Sequence, residues 1–216
     1  MADERKPDAN GNLDGDAERP SHPFQIDLQA IRERAREHMS SGAITGAYAA
    51  DRTAVITVLN EALATEIVCV LRYKNHYFMA RGIHAQSIAQ EFLEHAGQEQ
   101  DHADAIAARI TQLGGVPNLN PADLVTRSHS EYREGSDIEE MMQEDLVAER
   151  IAIETYSEII RWLGNDDPTT RRMMEDILKV EEKHADDLAN LLAGISWAAA
   201  ATQQGDVEVE SPTPRH

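Results

Sequence analysis

The sequence predicts an all-α fold: a bundle of four long helices with one long crossover between helices two and three, plus a short N-terminal helix. Three observations predict it. Apolar residues recur at i, i+3, i+4 and i+7 through four long segments. Glycine and proline punctuate those segments, and no run alternates apolar and polar residues as a strand would; Asp206–Glu210 is too short and too acidic. The connection between the second and third segments, Gly114–Ser136, has 23 residues.

Taken in order, residues 1–26 are polar and rich in Asp, Asn, Gly and Pro, the composition of a disordered tail. Residues 27–50 follow as a short helix, Asp27–Met39, and a glycine-containing link. The bundle is expected over 51–194. Its first helix, Asp51–Arg81, is broken by Gly82, and its second, His84–Leu113, by Gly114-Gly115-Val116-Pro117. Ser136, with Glu139 three residues on, reads as a capping box for the third, Asp137–Leu163, which Gly164-Asn165 ends. Asp167-Pro168 offers an N-cap followed by proline at the first helical position of the fourth, Pro168–Ala193. Residues 195–216 are expected to be a tail, polar with two prolines beyond about Thr202. Short links make each helix pair an antiparallel hairpin. At roughly 3.3 Å per extended residue, the long connection spans the ~40 Å length of such a helix with slack.

Composition narrows the function. One cysteine, Cys69, excludes an intramolecular disulfide or a Cys₄ metal site and suits a small core hydrophobe. No stretch approaches 18 consecutive apolar residues, so no membrane span is expected. No apolar segment follows Met1, and a cytoplasmic location is the expectation. With 20 basic against 39 acidic residues the net charge is −19, which repels nucleic acid and attracts cations.

Each apolar stripe is interrupted by acid at its middle. Glu66 lies among Leu59, Leu63, Val70, Tyr73 and Tyr77; Glu99 and His102 share a face with Ile88, Phe92, Ile106 and Leu113. Glu149 falls among Met142, Ile153, Tyr156 and Ile160, and Glu181 and His184 among Met174, Ile177, Leu188 and Leu191. Burying an ionised carboxylate alone costs several kcal/mol, and four together repel one another. Lys and Arg are absent from these stripes. Two divalent cations cancel four glutamates while the histidines stay neutral, and oxygen and imidazole ligands suit iron or manganese, with zinc also compatible. Glu99-x-x-His102 and Glu181-x-x-His184 each put carboxylate and imidazole one turn apart. Glu66 precedes Glu99 by 33 residues and Glu149 precedes Glu181 by 32, so one half-site occurs twice, offset by 82 or 83. Tyr73 and Tyr156 repeat as well, each seven residues after its glutamate. This is a known pattern of di-iron and di-manganese carboxylate bundles.

At these residues the sequence resembles the bacterioferritin branch of the ferritin-like di-iron carboxylate superfamily. The resemblance is carried by TEIVCVLRY (Thr65–Tyr73), EQDHADAI (Glu99–Ile106), LGGVPN (Leu113–Asn118), DLVAERIAI (Asp145–Ile153) and EEKHADDL (Glu181–Leu188). It implies a ferritin-like bundle in which Glu66 and His102 hold one iron, Glu149 and His184 the other, and Glu99 and Glu181 bridge both. It also implies a role for Tyr73 as an electron donor beside the site. The chain departs from the branch in a long extension before the first bundle helix, residues 1–50, and at three further places. Gln100 replaces the methionine that ligates haem, so no haem is expected; Asp187 replaces a frequent tryptophan; and ISWAAAATQQG does not match the short fifth helix of 24-subunit cages. His95, with Glu91 and Glu94 nearby, is a lesser candidate for an outer or entry ligand, whereas His76, His84 and His129 read as surface or packing residues.

The expectation is therefore a ferroxidase with two irons per chain, taking Fe(II) and either O₂ or H₂O₂, for iron storage or detoxification. A homo-oligomer is expected, without nucleic acid or membrane partners. The alternative is a di-iron or di-manganese peroxidase or catalase that stores nothing.

Overall fold

A computed structural model describes residues 24–82 and 85–205, with side chains described up to residue 195. Its helices are α1 (Leu28–Arg34), α2 (Arg52–Met79), α3 (Ala85–Gln112), the short α4 (Leu124–Arg127), α5 (Ile138–Leu163) and α6 (Pro168–Gly205), with a single 3₁₀ turn at Met39–Ser41. Among the described residues there is no strand. The expected Asp27–Met39 helix keeps only its first half, capped by the Asp27 carboxylate, which accepts from the Ala30 amide at 3.0 Å.

Sequence chemistry accounts for the helix ends. Asp51 caps α2 by accepting from the amides of Thr53 and Ala54. For α5 the expected cap is displaced by one residue. Asp137 accepts from the Glu140 amide, and the Glu140 carboxylate reaches back to the Ser136 amide at 2.7 Å. The reciprocal logic of a capping box survives, with the acid at 140 in place of 139. Asp167 caps α6 through the Thr170 amide at 2.9 Å, ahead of Pro168. At the other end α6 continues to Gly205 instead of stopping at Ala193. Gly194 is a single interruption, and the alanine run that follows has the highest helix propensity available.

The core fixes the topology. One apolar cluster joins Val55, Leu59 and Leu63 of α2 to Ile106 and Ile110 of α3, Tyr156 and Ile159 of α5, and Met174 and Ile177 of α6. A second joins Tyr73 of α2, Ile88 and Phe92 of α3, Met141 and Met142 of α5 and Leu188 of α6. The start of α2 thus meets the end of α3, the end of α5 and the start of α6. Both hairpins are antiparallel, and the connection from α3 to α5 must travel the length of the bundle. It does so along α2. Asn60 Oδ1 accepts from the Asn118 amide, Thr65 Oγ1 from the His129 amide, and Arg72 donates to Ser130 and to the Glu131 carbonyl. Leu124 of α4 packs against Ala64 and Val68. The fold is a four-helix bundle with one long crossover.

On α5 the buried face runs through Ala148, Ala152, Tyr156 and Ile159, while Ile153 and Ile160, expected in the stripe, are half-buried. By length and composition α2 could cross a bilayer, but 56% of its most apolar window is buried in the bundle, and that helix carries Glu66.

Candidate metal centre

Between the two apolar clusters the four long helices bring Glu66, Glu99, His102, Glu149, Glu181 and His184 together, all buried. Their ligand atoms form two overlapping groups. Glu66, Glu99, His102 and Glu181 make one, and Glu99, Glu149, Glu181 and His184 the other, with the atoms of each group within 4.8 Å of one another. Glu99 and Glu181 belong to both. The helical period produces this arrangement: each E-x-x-H pair shares a face one turn apart, and each lone glutamate stands near the middle of its helix.

The imidazoles face the acids without bonding them. His102 Nδ1 lies 3.0 Å from Glu181, 3.4 Å from Glu66 and 3.6 Å from Glu99. His184 Nδ1 lies 3.0 Å from Glu99, 3.5 Å from Glu181 and 3.8 Å from Glu149. Neither nitrogen is aligned for a hydrogen bond, and neither are Glu66 Oε2, Glu99 Oε1 and both Glu181 oxygens. Buried polar atoms are otherwise satisfied almost without exception. Five of the six residues therefore turn an unpartnered atom inward, as a donor set around a cation does. These residues could hold metal.

Outer groups hold the donors in place. Tyr73 of α2 donates to Glu149 Oε1 on α5, and Tyr156 of α5 donates to Glu66 Oε1 on α2, so the sequence repeat appears as a reciprocal pair across the bundle. His184 Nε2 donates to Gln98 Oε1, which leaves Nδ1 of the neutral ring as the free lone pair. His95 is buried against this shell. Its Nδ1 is 3.2 Å from the Tyr73 hydroxyl and its ring stacks on His184 with centroids 4.0 Å apart. Gln100, at the position where haem ligation would need methionine, bonds Asp104 along α3 at 3.0 Å.

The pocket holds protons when it holds no cation. Burial, with the charges of Glu66 and Glu149, pushes Glu181 up to about 8. Burial and Glu99 raise Glu66 well above the ordinary range. Burial alone would lower both histidines, but the carboxylates facing them reverse it: His184 rises to about 12, and His102 is raised as well. Glu149 goes the other way. Burial opposes its charge, yet His184, Glu181 and Tyr73 outweigh that and bring it down to about 2. Glu149 on α5 thus stays charged, while Glu66 on α2 and Glu181 on α6 are pushed toward holding protons. Burial and the neighbouring His184 lower His95 to about 4.

Several buried polar residues escaped the sequence reading. Arg72 is fully buried on α2 and pairs with Asp145 at 2.8 Å, and His76 Nδ1 takes the other Asp145 oxygen at 2.8 Å. His76 is thus a member of a buried network, while His129 sits half-buried beside Thr65 and Glu61. Arg109 pairs with Asp167 at 2.8 Å. Basic residues do enter the core, contrary to the stripe reading, but their partners are aspartates outside the six-residue cluster. The repeat unit Glu…Glu-x-x-His gave no signal for them. His84 lies outside the described residues.

A profile of the ferritin-like domain matches residues 56–196. The chain belongs to the ferritin-like family. Curated relatives of this ferritin-like chain include a bacterioferritin of Brucella melitensis, 31% identical over 141 residues that cover 64% of this chain and 82% of the relative. A Synechococcus protein named nutrient stress-induced DNA-binding protein is 31% identical over 62% of this chain and 78% of its own length. Among solved structures, the bacterioferritin-related protein of Bacteroides fragilis, described as a dodecameric thioferritin, has a TM-score of 0.68 and 31% identity, covering 71% of this chain and 92% of that one. Dps from Thermosynechococcus elongatus has a TM-score of 0.62 at 21% identity, over 65% of this chain and 90% of that one, which is a likeness of fold.

Proposed function

We propose that this ferritin-like chain is a ferroxidase that oxidises Fe(II) at a paired site within one chain, for iron storage or detoxification. The observation that carries the reading is the overlap of two buried donor groups through Glu99 and Glu181, with unpartnered atoms facing the middle. Glu66 and His102 would hold one ion, Glu149 and His184 the other, and the shared glutamates would hold both. Two Fe(II), bound as substrate, supply one electron each, which reduces O₂ to H₂O₂ or H₂O₂ to water with uptake of two protons.

The protein supplies position, charge and protons. Four carboxylates against two divalent ions leave the dry pocket neutral, and the protons now held on Glu66, Glu181 and the two histidines leave as the cations arrive. Gln98 keeps His184 oriented, and the two tyrosines clamp the outer glutamates. Tyr73 is the electron donor in this reading, its phenolic proton already directed at Glu149. Manganese suits the same ligands.

Assembly into a homo-oligomer belongs to the proposal, supported by the dodecameric relative and by exposed Leu71, Val147 and Trp162 on the long helices. Nucleic acid does not belong to it, because a net charge of −19 opposes phosphate. Aerobic titration of Fe(II) into metal-free protein tests the reading. Oxidation should show a fast phase that saturates at two irons per chain and disappears in Glu99→Ala and Glu181→Ala. An unchanged fast phase in both variants overturns it.

A further inference from the structure

We propose that Glu91, His95 and Asp187 form a third divalent-cation site, which holds Fe(II) on its way to the paired centre. The cation site stands on its own geometry; its role as a way-station rests on the ferroxidase reading.

The chemistry of one histidine carries it. The Tyr73 hydroxyl donates its only hydrogen to Glu149, so its oxygen can only accept from His95, and Nδ1 carries a hydrogen. The other nitrogen, Nε2, is then the one a metal can take. It is buried, in a residue only 1% exposed, and has no hydrogen-bond partner. It faces two carboxylate oxygens, Glu91 Oε1 at 3.4 Å and Asp187 Oδ2 at 4.0 Å. Asp187 Oδ2 is held by Lys183, while His95 Nε2 and Glu91 Oε1 face each other with no hydrogen bond to Nε2, an arrangement a cation among the three would satisfy. All three fall within 4.8 Å of one another. Donors about 2.0–2.2 Å from a central ion sit about 3–4 Å apart, so small side-chain adjustments suffice. One imidazole and two carboxylates suit a first-row divalent ion.

Position supplies the role. The side chains of Glu91 and Asp187 are 33% and 31% exposed, so this trio opens to solvent, whereas the ring of His95 lies against His184. A cation here is one imidazole ring away from the paired centre. Lys183, exposed and paired with Asp187, is the resident positive charge that an arriving metal displaces.

The bundle does not impose this trio. Shifting by the internal repeat of 82 places Met173 opposite Glu91 and Ile177 opposite His95, and Ala105 follows His102 as Asp187 follows His184. The equivalent spot in the other half is apolar, and Ile177 belongs to the core there. The pseudo-symmetry of the chain is broken here by three donors at once.

The test is anomalous diffraction from crystals of the full chain soaked in Mn(II), with Co(II) titration of the same protein in solution. Three anomalous peaks per chain are expected, two at the paired centre and one bounded by Glu91, His95 and Asp187. Glu91→Gln with Asp187→Asn, both surface-accessible changes, should remove the third peak and reduce the Co(II) count from three to two. Lys183→Met should tighten the third site several-fold. Peaks at the paired centre without the third overturn this inference and leave the ferroxidase reading standing. A third peak that survives Glu91→Gln/Asp187→Asn also overturns it. Absence of the paired peaks, with the third present, overturns the ferroxidase reading instead.

Discussion

Single residues in this chain are legible when their chemistry conflicts with their position. Glu66, Glu99, Glu149 and Glu181 stood out because an acid in an apolar stripe needs compensation, and all four are buried together. Asp145 gave no such warning: its partners Arg72 and His76 lie on another helix, at a spacing no local pattern reveals. Protonation is the residue-scale property that function uses. Glu181, raised to about 8, holds its proton in the folded chain where the unfolded chain has released it above about 4.5. The folded state therefore binds more protons across that interval, and the metal-free bundle should lose stability as pH climbs from 4.5 to 8. Thermal unfolding of chelated protein across this range checks the sign. Metal binding must expel the same protons, so Mn(II) affinity should rise with pH through about 8, with proton release visible in weakly buffered titration. Tyr73→Phe removes the donor from Glu149 and leaves that buried oxygen unpaired, a loss of about 1–3 kcal/mol in urea unfolding of the metal-free form. A value near zero there would mean that the hydroxyl is not what holds Glu149.

At the scale of elements, the four long helices were readable because glycine, proline and capping side chains mark their ends, and the 3.6-residue period marks their buried faces. The departures lie at boundaries, as where the expected Asp27–Met39 helix stops at Arg34. Caps slid by one residue where two candidates were adjacent, as at Ser136 and Asp137, and only the backbone geometry chooses between them. The expected end of the fourth helix at Ala193 falls short of Gly205, since Gly194 is followed by alanines and does not stop the helix. What fastens the crossover to α2 lay beyond local patterns altogether. Arg72 bonds Asp145 of α5 through Nε and Ser130 and Glu131 of the crossover through Nη1, so one guanidinium ties three elements. Removing one member of a buried ion pair strands the other, at about 3–5 kcal/mol, whereas replacing both with apolar groups costs far less. Asp145→Asn should accordingly destabilise the bundle more than Arg72→Met with Asp145→Leu, as measured by urea midpoints. Equal losses would place the network's value in packing and not in charge.

For the molecule as a whole, the internal repeat is the organising fact. Two helical hairpins each contribute Glu…Glu-x-x-His, and the long crossover turns the second so that the two half-sites face each other. Neither hairpin alone provides a four-residue donor group: each group takes residues from both halves, since Glu181 joins Glu66, Glu99 and His102, and Glu99 joins Glu149, Glu181 and His184. Metal binding should then couple the halves, and truncations should reveal an order. Glu66→Ala and Glu149→Ala each damage one group and should leave one ion bound per paired centre. Glu99→Ala and Glu181→Ala damage both and should weaken both ions. Any ligand that binds only the folded state stabilises it by RT ln(1 + [L]/Kd), about 2.7 kcal/mol at a hundredfold excess over Kd. Mn(II) should therefore raise the melting temperature of the native chain most, that of the outer-glutamate variants by an intermediate amount, and that of the shared-glutamate variants least. Calorimetric stoichiometry and melting curves read the two orders independently. Equal behaviour of all four alanine variants would mean that the glutamates act as one undivided charge, and the reading of two ions joined by two shared carboxylates would fall.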